Sequence, residues 1–273
     1  MNRNECYELL LSAISKKEGI AMITITSCRF RTHGESLKDH EITSSKALVW
    51  DNGQVELEVG LPEFLTPALV DDALKALQEG TSKTFVHQQE DWELEYYVEV
   101  YPPPLHLIVA GAGHVAKPVV QIAKMLGFFV TVICDRPQYA NEEQFPLADE
   151  VICKEYMDYF SNPTRSAKKY ILLVTRGHQF DVMILRELMS KSASYIGMIG
   201  SRRRISGVFS QLKAERPEES FDHIFAPVGL DIGAQTPEEI AVSIMAEILK
   251  VKNEKSGVSL REKVGHFIVK ADE

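Results

Sequence analysis

The sequence predicts an α/β protein: a doubly wound parallel sheet in the C-terminal part, preceded by a smaller α+β domain. Three observations carry this. After residue 103, six short apolar segments alternate with helical stretches, the pattern of a parallel sheet covered on both faces. The first of these segments runs into a glycine turn and a helix, and the second ends in an acid. Consecutive prolines ending at Pro104 make a stiff extended connector, and the strands before them alternate and turn tightly. At 273 residues and 45% hydrophobic content, the chain can bury two modest cores.

The first domain is expected over residues 1–102. GIAMITITS and KALVWDNGQVELEV read as strands, and Asn52-Gly53 between alternating residues reads as a hairpin turn. TPALVDDALKALQEG reads as a helix capped by Thr66 and closed by Gly80. The run YYVEVYPPP divides the chain, with its consecutive prolines as the connector, which places the boundary near residue 103 and the second domain at 103–273.

In the second domain the strands are LHLIVA, FFVTVIC, DEVIC, KYILLVT, ASYIGMIG and HIFAP. GAGHVA follows the first. Gly111 and Gly113 allow a sharp turn and a close approach to phosphate, Ala116 permits close helix-to-strand packing, and a helix starting near His114 aims free N–H groups at a bound anion. Asp135 closes the second strand 24 residues after Gly111, where an acid commonly accepts hydrogen bonds from a ribose. Later strand ends should meet at the same crevice. In TRGHQFD, His178 is a candidate donor or proton-transfer group, whereas Asp181 is better explained as a helix N-cap. In IGSRRRISG, Ser201 and Arg202 to Arg204 stand at a helix start, where guanidinium groups beside free N–H groups suit phosphate or carboxylate. Three neighbours cannot all face one way, so one or two should reach a ligand and the rest face water. Thr236, Pro237 and Glu239 form a cap, a first-turn proline and a capping-box acid, with no function needed. Asp231, between Gly229 and Gly233, fits a ligand contact and a structural turn equally well.

Composition narrows the classes. The four cysteines, Cys6, Cys28, Cys134 and Cys153, show no CxxC pair, so neither a disulfide framework nor a zinc site is expected. A net charge of −9 lacks the basic stripe that nucleic acid requires. No apolar run approaches the roughly 20 residues of a membrane span and no leader pattern opens the chain, so a soluble cytoplasmic protein is expected.

Taken together, GAGHVA, CDRPQYANEEQFPLAD, TRGHQFD, YIGMIGSRRR and APVGLDIGAQTPEEIAVSIMAEI resemble the C-terminal domain of the XdhC/CoxI family, the xanthine dehydrogenase accessory proteins. The resemblance covers about residues 105 to 250 and implies a Rossmann-like domain serving the maturation of molybdenum hydroxylases. Family members are understood to bind the molybdenum cofactor, protect it during sulfuration and pass it to the apoenzyme. It therefore implies molybdopterin, NAD(P), or both, as ligand. It also implies a xanthine-dehydrogenase-type client, a cysteine desulfurase as a further partner, and a delivery protein rather than a turnover enzyme. Homodimerisation is compatible with it. The candidate cofactor-binding residues, read from the turns and strand ends, are Gly111, Gly113, His114, Ala116, Asp135, Arg136, His178, Ser201, Arg202, Arg203 and Asp231. The first domain resembles the family more faintly. TSCRFRTHGE, VGLPEF and DWELEYY stand where relatives carry GSxPR-like, GGCxE-like and CGG-like segments, and the two motif cysteines are missing. Glu63 is either the surviving acid of the second segment or electrostatic support for a helix start. An NAD(P)-dependent oxidoreductase with His178 as proton carrier, and a nucleotide-sensing paralogue, are the alternatives.

Overall fold

The computed structural model describes residues 1–30, 42–88, 92–161, 169–189, 191 and 193–264. The chain forms two compact units, Met1–Pro104 and Leu105–Glu273.

The first unit contains α1 (Arg3–Ser15), β1 (Ile20–Phe30), β2 (Lys46–Trp50), β3 (Val55–Leu57), α2 (Thr66–Glu79), β4 (Lys83–Gln88) and β5 (Trp92–Tyr101). The strands form an antiparallel sheet of order β3-β2-β1-β5-β4. Strand alternation sends Ala21, Ile23, Ile25, Leu94, Tyr96 and Val98 to one face, where Leu69, Ala73 and Leu77 of α2 cover them. Ile20, Met22, Leu48 and Trp50 face the other way, against Cys6, Leu10 and Ala13 of α1. The Asn52-Gly53 turn joins β2 and β3, with Gly53 at φ +85°. Thr66 does not cap α2, because a 3-10 turn at Glu63–Leu65 runs straight into the helix and holds Thr66 in helical geometry. Gly80 does close it, left-handed at φ +66°. YYVEVY belongs to β5, which pairs with β1 and β4 in the sheet interior, and the prolines after it form the link. Residues 31–35 of TSCRFRTHGE and Asp91 of DWELEYY lie outside the described residues.

The second unit contains β6 (His106–Ala110), α3 (Ala116–Met125), β7 (Phe129–Cys134), β8 (Glu150–Cys153), α4 (Tyr156–Phe160), β9 (Lys169–Leu173), α5 (His178–Leu188), β10 (Tyr195–Met198), α6 (Arg202–Glu215), β11 (Ile224–Phe225), α7 (Pro237–Lys252) and α8 (Leu260–Val264). All six expected strands form, and every pairing is parallel, in the order β11-β10-β9-β6-β7-β8. The chain steps outward from β6 to β7 and β8, then crosses back so that β9 lies on the other side of β6. This makes the carboxyl ends of β6 and β9 the switch point of a doubly wound sheet. Leu107, Val109, Val130 and Val132 pack against α3 and α7; Ile108, Ala110, Ile133 and Ile171 pack against α5 and α6. Burial on both faces explains why these strands are continuously apolar.

One polar group crosses the first of these cores. Glu247 of α7 is buried and accepts from the Tyr195 hydroxyl at 2.6 Å and from the Gly229 N–H at 3.1 Å. Burial, and the Glu247 carboxylate beside it, push the Tyr195 phenol far above its ordinary range. The loop after β11 is thereby tied to α7. Among the described residues no helix is long and apolar enough to cross a membrane.

Candidate functional site

The floor of the crevice is the turn after β6. Gly111 sits at φ +124°, and a Cβ there would lie 2.4 Å from the Val174 carbonyl oxygen at the end of β9. Only glycine lets the two strand ends meet so closely. Its N–H donates to the Ile133 carbonyl at 2.8 Å, and the Val174 N–H donates to the Ala110 carbonyl at 2.9 Å, so the turn is pinned to both neighbouring strands. Gly113 is different: it is exposed, and a Cβ there would meet nothing within 4 Å. Ala116 is fully buried and packs α3 on the sheet, as expected. The helix starts at Ala116 rather than near His114, because residues 113–115 form a turn closed by the Ala116 N–H on the Gly113 carbonyl at 3.0 Å. His114 is exposed on that turn.

At the end of β7, Asp135 is largely buried, and its carboxylate accepts from Arg176 at 2.6 Å. Arg176 follows β9, and its guanidinium also lies 4.8 Å from the Phe180 ring centroid. The pair therefore bridges the two strand ends on either side of β6. Tyr156 is buried close by; burial, then the thiol of Cys134 and the carboxylate of Asp135, push its phenol up. Arg136 turns away from Asp135 and stacks on Tyr139 at 4.1 Å, with its Nε buried and without a hydrogen-bond partner among the described residues.

A cleft of about 450 Å³ opens between the N-termini of α5 and α6, lined by Arg176, Gly177, His178, Ser201, Arg203, Arg204 and Gly207. Its wall is fixed from behind. Asp181, fully buried, accepts from Arg204 Nε at 2.9 Å and from its terminal nitrogen at 2.5 Å, and the Thr175 hydroxyl donates to it at 2.6 Å. Arg204 also reaches the Thr175 carbonyl at 3.1 Å. Desolvation raises the Asp181 carboxyl above its usual value, against the opposing pull of Thr175, Arg204 and His178. The N-cap reading of Asp181 is corrected: Gly177 occupies that position, and Asp181 is the fourth helical residue, turned inward. Ser201 does cap α6, accepting from the Arg204 N–H at 3.3 Å. Of the three arginines, Arg203 and Arg204 line the cleft and Arg202 is exposed outside its lining. His178 is the first residue of α5, at the cleft edge. Asp231 is exposed and does not line the cleft.

The structure thus gathers Gly111, Gly113, Asp135, His178, Ser201 and Arg203 at the carboxyl edge of one sheet. Sequence reasoning missed the Asp135–Arg176 bridge and the Thr175–Asp181–Arg204 network. The partners are 41, 6 and 23 positions apart, and nothing local marks the long pairs. Among the described residues no group of three or more His, Cys, Asp or Glu is placed to hold a metal ion. Cys6, Cys28 and Cys134 are buried and Cys153 is exposed, none in a disulfide.

A glycine turn at the switch point of a six-stranded parallel sheet with this strand order defines a Rossmann-type domain. The chain belongs to the XdhC family: the profile described as XdhC Rossmann domain matches residues 107–248. An Escherichia coli K12 protein described as "Uncharacterized protein YqeB" is 28% identical over 226 residues, covering 78% of this chain and 41% of that one. A Bacillus subtilis protein described as a probable xanthine dehydrogenase subunit is 33% identical over 162 residues, covering 59% of this chain and 47% of that one. The matches thus span less than half the length of these relatives. A solved structure from Bacillus halodurans, described as a xanthine dehydrogenase, aligns with TM-score 0.53 at 21% identity over 94% of this chain and 99% of that one, a likeness of fold.

Proposed function

We propose that the protein is an accessory factor for a xanthine-dehydrogenase-type molybdenum hydroxylase, holding the molybdenum cofactor by its phosphate and passing it to the client. Family membership and the Bacillus subtilis relative support the xanthine dehydrogenase connection. The observation that carries the ligand reading is the cradle at Gly113: an exposed position beside a rigid turn, with open space where a side chain would stand. Such a seat fits a phosphate approached by backbone N–H groups. In this reading the cofactor is cargo. The chain contributes the phosphate seat at the glycine turn, and buried Cys6 and Cys28 contribute no thiolate ligand. A cysteine desulfurase would act on the cofactor while it is held, in the cytoplasm.

A second reading, a nicotinamide dinucleotide, rests on Asp135 at the end of β7, the usual ribose position. In that reading Arg176 must yield the carboxylate it now holds.

The test uses protein purified from a molybdenum-replete host, with absorption spectra and mass spectrometry of released ligand. Gly113→Val should fold normally and lose the phosphate-bearing ligand, and in a host lacking its own accessory protein it should fail to restore client activity. Unchanged ligand content in folded Gly113→Val, or client activity independent of this protein, would overturn the reading.

A further inference from the structure

We propose that the cleft between α5 and α6 is an oxyanion site in its own right, separate from the glycine turn, and that Arg176 is shared between it and Asp135. Counting charge around the cleft decides what it attracts. Arg204 is neutralised by buried Asp181, and Arg176 by Asp135. The guanidinium of Arg203 makes no hydrogen bond or ion pair among the described residues. No side chain caps α5, so among the described residues the N–H groups of His178 and Gln179 are open, while that of Phe180 donates to the Gly177 carbonyl at 3.1 Å; at α6 Ser201 takes the Arg204 N–H and leaves those of Arg202 and Arg203. The cleft thus presents one uncompensated cation and two positive helix ends around a volume of about 450 Å³, enough for a phosphate-class group.

Arg176 adds the second charge on demand. It is well exposed, lines the cleft, and is held by a carboxylate rather than by packing alone. A doubly charged oxyanion in the cleft competes with Asp135 for it. When Arg176 moves to the anion, Asp135 is released to accept hydrogen bonds from a ribose at the neighbouring strand end. The two events favour each other, and by linkage the coupling is reciprocal. Arg204, clamped by Asp181 and Thr175, stays in place and gives the anion a fixed wall.

The phosphate can be a free ion or one phosphate of a ligand also seated on the glycine turn. Both are tested by calorimetry on the full chain with inorganic phosphate and with ADP-ribose. Arg203→Ala, a surface change, should weaken phosphate binding about tenfold or more, the loss of one charge-assisted contact. Asp135→Asn, which releases Arg176 from its competitor, should tighten it severalfold. Gly113→Val should leave it unaltered, which separates this site from the phosphate seat proposed above. If the oxyanion is a separate ligand, phosphate and ADP-ribose bind together and each tightens the other; if it belongs to one bridging ligand, ADP-ribose displaces phosphate. No phosphate binding to the wild-type chain, equal affinity in Arg203→Ala, or binding unchanged or weakened in Asp135→Asn would overturn the proposal.

Discussion

Gly111 and Gly113 stand two positions apart in one turn, and sequence spacing treats them as a pair. The structure gives them opposite tasks. Gly111 combines a backbone conformation closed to side chains with a contact to the Val174 carbonyl, whereas Gly113 has neither. Gly111→Ala should therefore cost about 2 kcal/mol or more in urea unfolding, while Gly113→Ala should be nearly neutral. Equal stability of the two variants would contradict this division. Residue identity made both glycines visible; which packs and which is open depends on β9, whose sequence lies far downstream. The same applies to Asp181. Its place near a helix start suggested a cap, but the inward turn of the fourth helical residue puts it under Arg204, where burial and pairing together decide its state.

At the level of elements, legibility followed the length scale of the signal. The parallel strands of the second unit were readable because burial on both faces leaves unbroken apolar runs. Strand β5 was not read as a strand because it is rich in tyrosine and glutamate: as an antiparallel strand its alternate residues face less buried surroundings, and the adjoining prolines obscured where it ends. Capping was legible where it is closed locally. The box at α7 forms as read, with Thr236 accepting from the Glu239 N–H at 3.2 Å and Glu239 accepting from the Thr236 N–H at 3.1 Å. At α2 the preceding 3-10 turn displaced the expected cap. Thr236→Ala should lower stability by about 1 kcal/mol. The N–H of Gln235, then that of Thr236, hold the Glu239 carboxyl below its ordinary value. A lowered carboxyl stabilises the fold above its unfolded-state value and loses that contribution as pH falls through the folded one. The stability gap between wild type and Glu239→Gln should thus be constant near neutrality and shrink as pH drops below about 4, measured by urea titration at each pH.

For the whole molecule, a net charge of −9 means that an anion is met by a local field against an unfavourable background. Recognition has to be built close in, by guanidinium groups and helix ends, which is why a composition without a basic stripe still leaves room for a phosphate. The contact of Gly111 with Val174 then has a mechanical consequence. With Gly111 bonded to Ile133 and Val174 bonded to Ala110, three strand ends are fastened together under the crevice. The floor has no hinge. Ligand entry cannot be accommodated by spreading the strands, so adjustment falls to side chains at the rim, Arg176 foremost. Amide hydrogen exchange should accordingly find the N–H groups of Gly111 and Val174 slow with and without ligand, while the first amides of α5 become protected only when the cleft is filled; fast exchange at Gly111 in the free protein would show an anvil that yields.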